Sequence, residues 1–335
     1  MLLKDHIPAL KYGAKINASS LLGIHTTGNV YYVIKKTESF YDQFVSDYHT
    51  VYADGSDSIC ADEGTTTSVA ATAALNTGIQ DALDKCVSSR GDYVVVLPST
   101  NDYDIGATLT MTKRNVHLIS PQNIGYETGA MNGCRIDQVG AASEIINVSN
   151  SNIEIAGFWM KAISTYACIE FANSGTLSAW ANSVHHNTFY WSGTTSLVVG
   201  SEGSTGDGGS YSLIANNWFI PAGSSNTTTN VVYLGNSAAA GRIVGNVCIV
   251  DNSNTLSNVY VANGAMSEVS NNRACAVAGG TTGTITRAVT CTRGLMSGNM
   301  LGVGASADVA PSGNTNGAVG NWSGGTGGAA ASQAD

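Results

Sequence analysis

Glu154 and His185 come nearest to a reactive pair by type and spacing. They hold the same place, two before a recurring slot, on neighbouring repeats. Parallel strands stack about 4.8 Å apart, which would set the two side chains together. A carboxylate beside an imidazole fixes its tautomer and raises its basicity for general acid–base work. The competing reading is an ordinary surface ion pair. Glycosidases need a second carboxylate across the scissile bond. From residue 140 onward the acids are Glu144, Glu154, Glu170, Glu202, Asp207, Asp251, Glu268, Asp308 and Asp335, with no paired or clustered set. Glu170, the next acid after Glu154, belongs to a different face. Arg242 and Glu268 form a second neighbouring pair, read as structural. The glycine-rich loop Gly200–Ser210 lacks the Lys and following helix of a phosphate cradle. The seven cysteines (60, 86, 134, 168, 248, 275, 291) show no metal spacing. They read as buried thiols, and no metal or cofactor is expected.

These residues sit in a repeat. Ile153–Met160, Val184–Trp191, Ile214–Pro221, Ile243–Val250, Val269–Ala276 and Met296–Val303 align, followed by a truncated Ala318–Ser323. The fourth position is Ala156, then Asn187, Asn217, Asn246, Asn272, Asn299 and Asn321, at intervals of 31, 30, 29, 26, 27 and 22 residues. It follows Ile155, His186, Asn216, Gly245, Asn271, Gly298 and Gly320, mostly types that tolerate positive φ. Each repeat therefore bends and then places an Asn, and stacked Asn side chains predict an amide ladder. Residues two and four past the slot are mostly apolar and should point inward. A second inward set is Ile146/Val148, Ile169/Phe171, Leu197/Val199, Val232/Leu234, Val259/Val261 and Val289/Cys291. One bend and two or three short strands per turn of roughly 22–31 residues predict an all-β, right-handed parallel β-helix.

The outward positions carry Trp159, Tyr190, Ile220 and Ile249 three past the slot, and Trp218, Val247 and Met300 one past it. A solvated face would carry Ser, Thr, Lys or Glu. This apolar strip predicts an interface: the seam of a homotrimer, an aromatic platform for sugar rings, or a face covered by the chain's own loops.

Charge divides the chain. Eighteen of 39 charged residues fall in the first 92 positions, and charged residues are only 12% of the whole. Gly, Ser, Thr and Asn replace them, which disfavours long helices. Low net charge per residue and near-neutral mean hydropathy exclude a disordered chain. A formal charge of −9 argues against nucleic acid and against anionic membranes. No apolar run is long enough to span a membrane, and no secretory signal is visible at the start. One amphipathic helix is predicted at Thr72–Cys86, with Leu75, Ile79, Ala82, Leu83 and Cys86 on its apolar face. It suits the role of capping the β-helix. The expected organisation is an attachment segment at 1–50, a cap at 51–92, the β-helix at 93–323 and a flexible tail at 324–335. Within the first segment, Gly28–Lys35 reads as a strand and Lys36–His49 carries aromatic residues at helical spacing.

The order Tyr52-Ala53-Asp54-Gly55, helix, Tyr93-Val94-Val95-Val96-Leu97-Pro98, then Leu109-Thr110-Met111-Thr112 up to Val116-His117-Leu118 resembles the opening of pectin-lyase-like β-helix proteins. In particular it is similar to bacteriophage tailspikes and related virion proteins. The chain departs from their pattern after the first strand, where Leu97-Pro98-Ser99-Thr100-Asn101-Asp102-Tyr103 stands in place of Pro-Pro-Gly-X-Tyr. The resemblance implies the fold over about 50–323 and a phage origin. The expected function is a homotrimeric virion surface protein, a head decoration or short tailspike, made in the host cytoplasm. Its expected partners are its own copies, capsid or tail proteins, and cell-surface polysaccharide. The alternative is a polysaccharide depolymerase, lyase or hydrolase, on the same scaffold. A cellular pectin-lyase-type enzyme or adhesin fits less well, for want of an export signal.

Overall fold

A computed structural model describes residues 28–34, 77–98, 102–121, 134–139, 144–163, 165–174, 177–201, 208–222, 226–235, 238–250, 254–276, 284–302, 308–309, 317–319 and 322–323. The Tyr52–Gly55 turn, the Lys36–His49 stripe, Leu75, Cys60, Asn321, Glu202, Asp207 and the 324–335 tail lie outside them.

Short strands recur in three parallel stacks. The first holds Val30–Val33, Asp92–Val96, Val116–Ile119, Glu154–Ala156, Ser183–His185, Leu213–Ala215 and Arg242–Val244. The second holds Leu109–Met111, Ile146–Val148, Ile169–Phe171, Thr195–Gly200 and Thr227–Leu234. The third holds Tyr103–Ile105, Cys134–Gln138, Phe158–Ile163, Thr188–Ser192, Trp218–Pro221, Val247–Val250, Arg273–Ala276, Met300–Gly302 and Trp322–Ser323. Two long strands, Thr255–Ser270 and Thr284–Ser297, run through the second stack and on into the first, joining them as one sheet. The chain visits first, third and second stack in turn, level after level. A single antiparallel pair, Asn173–Ser174 with Leu177–Ser178, departs from this pattern among the described residues. The molecule is thus all-β with long parallel sheets, compatible with a parallel β-helix.

Alternation explains each stack. In Thr188–Ser192, Phe189 and Trp191 point to the core, and Tyr190 and Ser192 stay partly exposed. Met160, Phe189, Phe219, Cys248 and Ala274 stack in register. The Phe189 and Phe219 rings lie 5.1 Å apart and nearly parallel. The column narrows at Cys248 and Ala274, and Tyr260 enters beside it. Its ring meets Phe219 edge-on, and its hydroxyl donates to the Arg273 carbonyl at 2.8 Å. This corrects the expected inward pair Val259/Val261. Register sets Tyr260 opposite Val232 and Ala262 opposite Leu234, while Val259 and Val261 are also buried. The long strand shifts register between Ala262 and Ser267, so simple alternation fails there.

The helix is Thr77–Lys85 within the described residues. Ile79, Ala82, Leu83 and Cys86 are buried as the period predicts. Gln80 faces the edge strand Leu109–Met111. Its amide accepts from Thr110 N at 2.8 Å and donates to Thr110 O at 3.3 Å, as a neighbouring strand would. Lys113 donates to the helix-end carbonyls of Leu83 and Asp84. Asp92, fully buried, accepts from Asn29 N, Val87 N and both Arg90 Nε and Nη2. It ties the helix end and the Val30–Val33 strand to the first stack. That strand lies inside the segment expected to be an attachment region.

Candidate functional site

Two bends frame every level. His186, Asn216, Gly245, Asn271 and Gly298 all have φ between 55° and 69°. Asn and Gly alternate here for a steric reason: a Cβ at Gly245 or Gly298 would meet the Oδ1 of Asn216 or Asn271 at 2.5 Å. Next in the chain come Asn187, Asn217, Asn246, Asn272 and Asn299, all fully buried. Each of the first four donates through Nδ2 to the Oδ1 of the next at 3.0–3.2 Å, and its backbone N donates to that same oxygen. Each of the five also donates to a strand carbonyl: Ile155, Val184, Ile214, Ile243 or Val269. Every amide is therefore satisfied without water, and the row fixes where each strand begins.

The ladder also corrects the first repeat. Gly157 (φ 84°) makes the bend there, and Phe158 takes the slot, its N–H donating to Asn187 Oδ1 at 3.0 Å. Ala156, which pairs with His185, is two residues early. Glu154 consequently faces Ser183 across the strands, with His117 on its other side. His185 is its diagonal neighbour on the same face.

The carboxylate reaches both imidazoles. Glu154 Oε2 accepts from His117 Nδ1 at 2.7 Å, and Oε1 accepts from His185 Nε2 at 2.9 Å. His185 Nδ1 lies 2.9 Å from His186 Nδ1. Only one proton fits between those two nitrogens. A neutral His185 accepts it, and a protonated His185 donates it to a neutral His186. Tyr93 stacks on His117 at 4.1 Å, with 9° between the rings. Burial alone would raise the Glu154 carboxyl, but the hydrogen bonds and charge of His117 and His185 outweigh it and hold it at about 2. Burial, and then the His185 charge, lowers His186. Burial and Glu154 push Tyr93 up to about 12. The result is a chain His186–His185–Glu154–His117 able to hold and pass a proton. No group of three or more His, Cys, Asp or Glu among the described residues has a metal-binding arrangement.

Arg242 and Glu268 pair across strands at 2.7 Å; Ser270 and, despite some burial, Arg242 lower the Glu268 carboxyl. Their exposure limits the pair to under about 1 kcal/mol. The six described cysteines are free thiols, five of them buried.

The outward strip divides. With the corrected register, Trp159 aligns with Thr188, Trp218, Val247, Arg273 and Met300, and Tyr190 aligns with Lys161, Ile220, Ile249 and Cys275. Trp159 is 5% exposed, contrary to its expected place on an open strip. Tyr190, Trp218, Ile220, Val247 and Ile249 are half-buried, and Met300 is 48% exposed. Sequence reasoning missed His117 and the ring contact of His186, and it missed Arg135 and Asp137 beside Trp159. His117 was legible as a polar residue alternating inside Val116–Ile119; its pairing with the distant Glu154 needed the register.

No helix among the described residues is long and apolar enough to cross a membrane. Fold and clusters together define an all-β protein of stacked parallel strands with polar groups on its outer faces. No protein-family model matches the chain, and no curated protein does. One solved structure it resembles is titled "Geobacillus virus E2 - ORF18", with 10% identity and a TM-score of 0.38. The match covers 88% of this chain and 66% of that one, just under two thirds of its length.

Proposed function

We propose that the chain is a bacteriophage virion surface protein, built as a right-handed parallel β-helix and assembled as a homotrimer. The observation that carries this reading is the apolar run Trp218, Ile220, Val247 and Ile249 on the outer face of the third stack, with Met300 beyond Arg273, where a solvated sheet would be polar. The three-stack order, the buried Asn ladder and the likeness of the opening strands to tailspikes support the β-helix. The helix Thr77–Lys85 is its cap, because Gln80 occupies the free edge of Leu109–Met111. An antibody against the chain should label intact phage particles at the head or tail surface. Particles that label only after disruption would overturn the surface assignment.

A second reading, a polysaccharide depolymerase, draws on Glu154 held between two imidazoles. Under it, Glu154→Gln abolishes cleavage of host-surface polysaccharide. Unchanged cleavage would leave the cluster structural.

A further inference from the structure

The third stack carries a second polar cluster at the levels preceding the apolar run. Register places Arg135, Trp159, Thr188 and Trp218 in one outward row, and Asp104, Asp137, Lys161 and Tyr190 in the next. Arg135 pairs with Asp102 at 2.9 Å, and Lys161 donates to Asp137 Oδ2 at 2.9 Å. The Arg135 guanidinium covers the Trp159 ring at 4.6 Å, and Trp159 stacks on Tyr190 at 5.4 Å.

Besides Arg135 Nε, which faces Asp102 at 2.9 Å, three polar atoms here are buried with no hydrogen-bond partner: Trp159 Nε1, Thr188 Oγ1 and Asp137 Oδ1. Thr188 is fully buried, Trp159 is 5% exposed and Asp137 is 9% exposed. Buried polar groups are paired as a rule. Two donors and an acceptor left over on neighbouring strands, on an outward face, describe half of a set of contacts. The covering groups are long side chains, Arg135 and Lys161, each about one-third exposed. Both are flexible, and when Arg135 swings aside its contacts with Asp102 and Trp159 are exchanged for those of the ligand.

The missing half needs hydroxyls that both donate and accept, together with a flat apolar face to lie on Trp159. A pyranose ring has both. Charge narrows the class. Asp102, Asp104 and Asp137 outnumber Arg135 and Lys161, and the whole chain carries −9. Burial raises the Asp137 carboxyl even against Lys161, so the site already resists negative charge. A ligand carboxylate would meet the same resistance.

We propose that this cluster binds an uncharged pyranose ring, seated on Trp159 in place of the Arg135 guanidinium and bonded to Trp159 Nε1, Thr188 Oγ1 and Asp137 Oδ1, and that it rejects uronates. The proposal goes beyond the virion reading and does not depend on the trimer.

The test is ligand-observed NMR and tryptophan fluorescence on the full chain. The probes are maltohexaose, cellohexaose, mannohexaose and chitohexaose, with hexagalacturonate as the charged comparison, all at millimolar concentration. At least one neutral hexamer should bind, and hexagalacturonate should bind at least tenfold more weakly. Trp159→Ala should weaken the neutral probe at least tenfold, and Arg135→Ala should bind it as tightly as the parent or more so. The proposal is overturned if no neutral hexamer binds, if hexagalacturonate binds equally well, if Trp159→Ala retains full affinity, or if Arg135→Ala weakens binding. Should Trp159→Ala fail to fold, Thr188→Val removes one hydroxyl only. A threefold or greater loss supports the proposal, and unchanged affinity overturns it. Failure of any arm leaves particle labelling and subunit mass as separate readouts for the virion assignment.

Discussion

Two polar clusters on outer faces of the molecule make opposite use of burial. In the Glu154 cluster both carboxylate oxygens receive imidazole donors, and the third histidine meets the second. Around Asp137 one oxygen has Lys161, the other has nothing, and two neighbouring donors are also left open. The difference appears in the carboxyls themselves: one is held far below its usual range and the other is raised by burial. A satisfied cluster stabilises the fold. An unsatisfied one costs stability until a partner arrives.

Breaking the frame common to both should have the largest effect. Asn246→Ala removes two donors and strands the backbone N–H and Nδ2 of Asn217, with an expected loss of about 3–4 kcal/mol, read as the largest drop in apparent melting temperature. A loss no larger than that of a surface substitution would contradict the ladder's role. Glu154→Ala comes next, because it leaves two partly buried imidazoles without their acceptor. The expected cost is about 2 kcal/mol in urea unfolding at neutral pH.

Acid titration sharpens the comparison by sign. The Glu154 carboxyl falls from 4.5 to about 2 on folding, so its contribution is present above about 4.5 and is lost as pH falls toward 2. Asp137 is shifted upward, so its contribution grows as pH falls through its folded value. Glu154→Gln should flatten the loss of stability between those two pH values; an unchanged acid limb would show that the histidines do not hold the carboxylate. Asp137→Asn is the smallest effect, within about 0.5 kcal/mol of the parent, because losing the Lys161 pair is offset by losing a buried charge. A large destabilisation would place Asp137 with Glu154 as a structural residue.

The sequence showed one bend row and hid another. Asn216, Asn271, Gly245 and Gly298 advertise positive φ by type. Ser89, Asn115, Asn152, Ala181, Tyr211, Ala240 and Met266 also adopt it, at the bends leading into the first stack. Ala, Tyr and Met give no such signal. Tyr211 and Met266 are also 61% and 72% exposed, so no core pattern betrayed them. The slot of the first repeat falls two residues after Ala156, because Gly157 makes its bend and an apolar Phe158 fills the slot. Glu154 and His185 were legible as neighbours despite that slip, since a diagonal contact spans it. Asp137 and Arg135 lie before the recognisable repeats, and only the pairing of their strand with the next one brings them to Lys161 and Trp159.

The central claim is that the outer face of the third stack is a binding surface, its apolar end for further copies of the chain. Sedimentation equilibrium of the full chain at micromolar concentration tests it most directly. The account expects a mass three times the 34.5 kDa of one chain, reduced to a single chain in an Ile220→Asp, Ile249→Asp variant. A parent protein that sediments as a monomer, or a variant that remains trimeric, would contradict it.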